Sequence, residues 1–230
     1  MDKETLRKHL ENDVRRRERF CLPYTSDQAR EFLATAYHAE VTKRGAYSYT
    51  STPEIEKNMD AVAKWLTTAT RKPGIILAGT TPGTGKTTMA RAICSLSKIL
   101  SSEKEGLPRF RFVSASKVEE IYTAAAAVKQ AHPGEDVATY DAVERYSNLV
   151  NYPYLFVDDL GTERRTVKIF GVEYTPAIDF ITARYDAGLA TSITTNLSLE
   201  HIAERYGLRV ADRLREGCEV LAFNGKTFRL

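Results

Sequence analysis

Cysteine is scarce in this chain. Cys21, Cys94 and Cys218 stand far apart and form no C-x-x-C pair, which excludes a disulfide framework and a thiolate zinc site alike. Cys94 falls in an apolar helical pattern and reads as core. His9, His38, His132 and His201 have no metal-ligand spacing. No run approaches the ~18 apolar residues of a membrane-crossing helix. The start, Met-Asp-Lys-Glu-Thr, lacks the apolar centre of a signal peptide. A cytoplasmic location without membrane contact is therefore expected. Neither sign of charge dominates: a net +3 leaves any case for nucleic acid to local placement. Repeats and low-complexity tracts are also missing. The chain does have 230 residues, 43% of them hydrophobic. That is enough for one main domain with a sizeable core and a small appendage.

One stretch organises the rest. Residues 74 to 88 read Gly-Ile-Ile-Leu-Ala-Gly-Thr-Thr-Pro-Gly-Thr-Gly-Lys-Thr-Thr. The apolar run Ile75 to Ala78 predicts a buried strand, and a helix begins near Lys86. A glycine-rich turn between strand and helix is the context of a phosphate-binding P-loop. Gly83 and Gly85 let the backbone curl into a nest for anionic oxygens, and the helix N-terminus adds partial positive charge. The expected nucleotide-binding set is Pro82, Gly83, Thr84, Gly85, Lys86, Thr87 and Thr88. Lys86 reaches the β- and γ-phosphates of ATP, and the Thr87 hydroxyl ligates Mg²⁺. The bland alternative is a glycine-rich turn that binds nothing. The first glycine of the usual pattern is replaced by Thr80, with Gly79 one place early.

Taken in order, residues 3 to 20 predict a charged helix with a thin apolar seam and a basic end, Arg15 to Arg17 plus Arg19. A second helix starts at Thr25 or Ser26, with Gln28 placed for a capping box and a face of Ala29, Phe32, Leu33, Ala36, Tyr37 and Val41. A linker covers Ala46 to Thr52. A third helix, with Ser51 and Glu54 as its capping pair and Pro53 early in it, carries Ile55, Met59, Val62 and Leu66. After the P-loop helix, Arg109 to Val113 reads as a strand. Ser116 and Glu119 are expected to cap a helix running to about Ala131, then His132 to Asp136 turn into a helix over 138–150. Tyr154-Leu-Phe-Val-Asp-Asp-Leu-Gly161 is a buried strand ending in two carboxylates. In a parallel sheet the carboxyl ends of strands converge on the ligand. Asp158 is then placed for the metal shell, as a Walker B aspartate is, and Asp159 for the attacking water. A plain pair of turn or N-cap aspartates is the alternative. Residues 162 to 174 read as a connection. A helix from Thr175, a strand over 190–196, two short helices and a last strand over 219–223 follow.

Four motifs stand in order: Thr-Pro-Gly-Thr-Gly-Lys-Thr-Thr, Leu-Phe-Val-Asp-Asp-Leu-Gly, Ile-Thr-Thr-Asn-Leu-Ser and Tyr-Gly-Leu-Arg-Val-Ala-Asp-Arg-Leu. Together they resemble the DnaC/DnaI-type helicase loaders and the IstB transposition ATPases, a clade of AAA+ ATPases near the initiator DnaA. The resemblance covers about residues 51 to 230. It implies an α/β fold: a P-loop NTPase core with a five-stranded parallel sheet in the order 5-1-4-3-2 between helices, without a C-terminal lid. A small helical N-terminal segment, residues 1–50, would bind the partner, and 51–230 would be the ATPase domain. By motif matching, Asn196 takes the sensor place and Arg213 the place of an arginine finger, with Arg209 and then Arg184 as further candidates. In this clade the segments after the second and third strands line the inside of an assembly. Lys117, Arg164, Arg165 and Lys168 are the candidate contacts to single-stranded DNA. Tyr122 offers a stacking surface or, more simply, a core tyrosine.

The resemblance implies an ATPase with ATP and Mg²⁺, slow and switch-like because Asp159 stands where glutamate is commoner. It implies ATP-dependent homo-oligomers that load a replicative DnaB-family helicase onto single-stranded DNA. An IstB-like helper delivering a transposase uses the same motifs. A small-molecule P-loop kinase would have no use for Asp159, Asn196 and a trans arginine together. A nucleotide-gated binding module that does not hydrolyse is the last alternative.

Overall fold

The computed structural model describes residues 2–7, 20–43, 51–107, 109–130, 138–225 and 227. Residues 3–7 are helical. The rest of the helix expected to residue 20, most of the linker from Ala46 and the turn at His132 to Asp136 lie outside the described residues.

The elements in chain order are α1 (Ser26–Thr42), α2 (Pro53–Thr67), β1 (Gly74–Ala78), α3 (Lys86–Glu103), β2 (Arg111–Ser114), α4 (Ala115–Gln130) and α5 (Ala138–Val150). Then come β3 (Tyr154–Leu160), β4 (Val167–Ile169), β5 (Val172–Tyr174), α6 (Pro176–Asp186), β6 (Ala190–Thr195), α7 (Leu199–Tyr206), α8 (Leu208–Gly217) and β7 (Cys218–Ala222). Five strands pair in parallel in the order β2-β3-β6-β1-β7. Counted along the chain, that is the expected 5-1-4-3-2 read from the other edge. The small antiparallel hairpin β4–β5 is an addition within the expected connection.

Strand alternation divides the core in two. Ile75, Leu77 and Phe156 face one layer with Leu33, Met59, Trp65, Met89, Ile93 and Phe110. Ile76, Leu155, Val157 and Ile193 face the other, with Leu149, Phe180, Ile202, Val210 and Leu214. Burial on both faces explains why β1 reads as a continuous apolar run rather than an alternating one.

Helix α1 starts with the expected capping box, Thr25 with Gln28. Its Ala29, Leu33 and Tyr37 belong to the first core layer. Glu40 accepts from Ser95 of α3 at 2.8 Å and Lys43 at 2.6 Å. Burial pushes the Glu40 carboxyl up, but these partners and Arg91 outweigh it and hold it below its ordinary value. Helix α1 thus packs as part of the same core as the elements after residue 50. Two caps differ from expectation by one or two residues. Thr52, not Ser51, accepts from the Ile55 N–H at 3.3 Å, because Ser51 turns to Glu56. Ser114, not Ser116, accepts from Lys117 N–H at 3.2 Å, and Glu119 is engaged elsewhere.

Arg184 on α6 is fully buried. Its guanidinium donates to the carbonyls of Val150 and Tyr152 at 2.7 Å, to Ala190 at 2.5 Å and to the Thr191 hydroxyl at 2.8 Å. It thereby satisfies the end of α5 and ties it to the starts of β3 and β6. Burial pulls its pKa down to about 9, still above neutrality. This position removes Arg184 from the arginine-finger candidates. Arg184→Met should lower stability by about 3 kcal/mol or more, because each stranded buried carbonyl costs roughly 1–3 kcal/mol. A denaturant midpoint equal to that of the native chain would refute this role.

Candidate nucleotide and metal site

The loop between β1 and α3 takes its shape from three glycines. Gly83 and Gly85 have φ of 81° and 92°, in the left-handed region that glycine adopts at no steric cost. Gly79 serves a different need. A Cβ there would lie 2.3 Å from the Phe223 carbonyl oxygen, where the chain leaving β7 crosses the loop. Thr80 is exposed and has no positive φ, so a side chain fits where the usual pattern has glycine. Lys86 is buried and its ammonium donates to the carbonyls of Gly79 (2.7 Å) and Thr81 (3.0 Å) and to the Thr84 hydroxyl (3.3 Å). The charge is therefore held inside the loop. The Tyr37 hydroxyl of α1 fills the space beside Gly85, 2.4 Å from where a Cβ would be.

The two carboxylates of β3 sit at the same edge. Asp158 is buried. It accepts from the Thr194 hydroxyl at 2.6 Å, and the Thr87 hydroxyl is near enough to favour its charged form. Burial pushes its carboxyl up and the Asp159 charge adds to the rise; the Thr194 and Thr87 hydroxyls and Arg91 oppose it without cancelling it. Pairing of β3 with β6 slips between Val157↔Ile193 and Leu160↔Thr195. The extra residue on β3 is a bulge, a device that re-aims side chains at strand ends. Asp159 within it has φ 54°, which aspartate tolerates better than most residues.

Thr194 is the residue that motif reading misses. It is fully buried, donates to Asp158, and accepts the Asp159 N–H at 2.9 Å. One hydroxyl thus ties both acids to β6. In sequence it is a threonine within a strand, with no spacing to mark it. Its neighbour Thr195 donates to the Leu160 carbonyl at 2.6 Å. Asn196 follows directly, and its side-chain oxygen is buried without a hydrogen-bond partner among the described residues.

Arg213 lies elsewhere. It shares a small cleft with Pro73, Ala190, Thr191 and Cys218, at the amino ends of the strands. The phosphate loop is at the carboxyl end of β1, about 16 Å away for a five-residue strand. Its side chain is 10% exposed and donates to Asp186 at 2.8 Å, with its guanidinium carbon 4.9 Å from the Tyr185 ring centre. Arg209, at the start of α8, is exposed.

Of the candidate nucleic-acid contacts, Lys117 pairs with Glu120 at 2.6 Å. Arg164 is 73% exposed yet anchored: its Nε and backbone N–H donate to buried Glu119 at 2.6 and 2.7 Å. Arg165 and Lys168 are exposed, with no ion pair among the described residues. Tyr122 takes the simpler reading, donating to Asp179 at 2.6 Å and packing on Tyr146 and Tyr174.

No protein-family model and no curated protein matches the sequence. Solved structures do. The crystal structure of the DnaC helicase loader aligns with a TM-score of 0.53 at 25% identity, over 76% of this chain and 93% of that one. DnaI aligns at 0.46 and 16%, over 69% and 74%. AMPPCP-bound DnaA from Aquifex aeolicus aligns at 0.47 and 15%, over 76% and 48%. The likeness to the DnaC loader bears out the resemblance to DnaC/DnaI-type AAA+ proteins and the P-loop AAA+ fold.

If Thr194 positions the two acids, Thr194→Val should slow nucleoside triphosphate hydrolysis about 10- to 100-fold, the worth of a hydrogen bond to a charged group. Nucleotide affinity should stay close to native, and Thr194→Ser should restore turnover. Equal turnover in the valine and serine variants would show that the hydroxyl serves folding alone.

Proposed function

We propose that the chain is a slow, switch-like ATPase that loads a replicative DnaB-family helicase onto single-stranded DNA. The observation that carries the ATPase reading is the meeting of Lys86, Thr87, Asp158 and Asn196 at the carboxyl ends of adjacent parallel strands. These residues fit a triphosphate. Lys86 already sits among the loop carbonyls, where anionic oxygens are stronger acceptors than neutral ones. The Asn196 oxygen, without a hydrogen-bond partner among the described residues, is an acceptor for the attacking water. Magnesium, held by Thr87, Asp158 and phosphate oxygens, would neutralise phosphate charge. Asp159 takes the proton of the water, a role that suits its half-exposed place in the bulge.

Support for the loader reading over the transposition helper is the likeness to the DnaC loader. Single-stranded DNA is assigned to the segments after β2 and β3, and partner recruitment to residues 1–50. A cytoplasmic location belongs to the same reading. Among the described residues no helix is long and apolar enough to cross a membrane.

Lys86→Ala should abolish ATP binding in calorimetry. Asp159→Asn should still bind Mg-ATP but hydrolyse it ~10²–10⁴-fold more slowly, the usual worth of general-base help. Pull-down from the native host with a non-hydrolysable ATP analogue should recover the helicase; recovery of a transposase would redirect the assignment. Unchanged ATP affinity in Lys86→Ala would remove the basis of the whole reading.

Arg213 is assigned to the active site of a neighbouring copy, since it lies a strand length from its own phosphate loop. A trans guanidinium stabilises charge developing on the γ-phosphate and is worth roughly 10³–10⁵ in turnover. Arg213→Ala should bind ATP and turn over slowly. Mixing it with Lys86→Ala, whose Arg213 is intact, should restore part of the activity. No recovery from mixed oligomers would leave Arg213 as the local partner of Asp186.

A further inference from the structure

The β4–β5 hairpin carries an unusual tip. Phe170 and Gly171 have φ of 48° and 84°, two successive left-handed residues as in a type I′ turn. That turn favours Asn-Gly. A bulky residue at its first position is strained, by roughly 1–3 kcal/mol. Phe170 gains nothing from the fold in return, because it is 76% exposed, and Val172 beside it is 48% exposed. Val167 and Ile169 of the same hairpin are buried.

The tip stands on a fixed base. Buried Glu163 accepts from the Gly161 N–H at 2.9 Å and from the Tyr206 hydroxyl, and pairs with Arg205. Arg164 is clamped to Glu119 of α4. On the far side, Thr175 donates to Asp179 at 3.2 Å, and Asp179 also holds Tyr122. The strained ring thus stands on an anchored base, eleven residues downstream of Asp159.

We propose that Phe170 is a stacking platform for a base of single-stranded nucleic acid. This rests on the reading above, in which the segment after β3 meets such a strand. Two observations favour this occupant. Arg165 and Lys168, five and two residues before the ring in the chain, are exposed cations without ion pairs among the described residues, and the only acid on the hairpin strands is Glu173, across from Lys168. The exposed apolar area is one phenyl ring and one valine. That suits a base face, and falls far short of the ~800 Å² per partner of a standard protein interface. Stacking is tolerant of sequence, because every base offers a π-face.

The test uses the full chain, fluorescent dT and U oligonucleotides and a DNA duplex, with anisotropy read over a salt series. Phe170→Asn is the central variant, since asparagine suits the turn better and removes the ring. It should melt no lower than the native chain and hydrolyse ATP at the native basal rate. It should also bind single strands about ten-fold more weakly or worse, the size of one lost stack. Phe170→Trp should bind at least as well as native. Arg165→Ala with Lys168→Ala should flatten the salt dependence. Selective binding of dT or of U identifies the source of the strand. Native-like binding by Phe170→Asn overturns the platform while leaving the ATPase reading intact. So does loss of a protein partner alone. A native chain that hydrolyses ATP but binds neither oligonucleotide overturns both the platform and the nucleic-acid part of the reading.

Discussion

Everything at the candidate site hangs on the common direction of β1, β6 and β3. Because these neighbours run parallel, their carboxyl ends open on one edge and deliver the phosphate loop, Asn196 and the Asp158–Asp159 pair together. Side chains of the middle strand lock the edge. Thr194 and Thr195 are fully buried and reach toward β3, and the Gly79 N–H donates to the Thr195 carbonyl at 3.2 Å on the β1 side. Buried polar groups of this kind are costly unless partnered. The edge is therefore held in one arrangement.

Backbone strain is concentrated just beyond that edge. Asp159 and Phe170 are the two non-glycine residues with positive φ among those described. Asp159 lies at the end of β3 and Phe170 in the hairpin that follows, and between them the chain is anchored twice, through Glu163 to α7 and through Arg164 to α4. Strained conformations persist only where the surroundings over-determine them, and these anchors supply that. Arg164 fastens this stretch to Glu119 while keeping one side exposed.

The helical faces and the loop glycines were legible because each follows from local pattern, whereas the strand order came only through the resemblance of the four motifs to a known family. A doubly buried strand is an apolar run, and Ile55, Met59, Val62 and Leu66 recur at helical spacing. The hairpin was not legible. Its turn is Phe-Gly rather than Asn-Gly, and only Val167 and Ile169 of its strands are buried. Thr194 and Arg184 escaped for another reason. Their partners lie 36 residues away at Asp158 for the one and 32 at Tyr152 for the other, so their roles exist only once the sheet has formed. The caps at Thr52 and Ser114 differed because a competing acid drew Ser51 away and Glu119 was taken by Arg164.

The contact of Tyr37 with Gly85 bears on how such a chain can be recombined. A junction for exchanging partner preference between relatives is naturally sought where the motifs begin, near residue 50. Here that cut would part Tyr37 from the phosphate loop and Leu33 from Trp65, baring an apolar layer on both pieces. A junction that keeps these contacts lies ahead of Phe20, whose ring is packed on Phe110 and Tyr154. Helix α1 thus belongs with the nucleotide site as one packed unit.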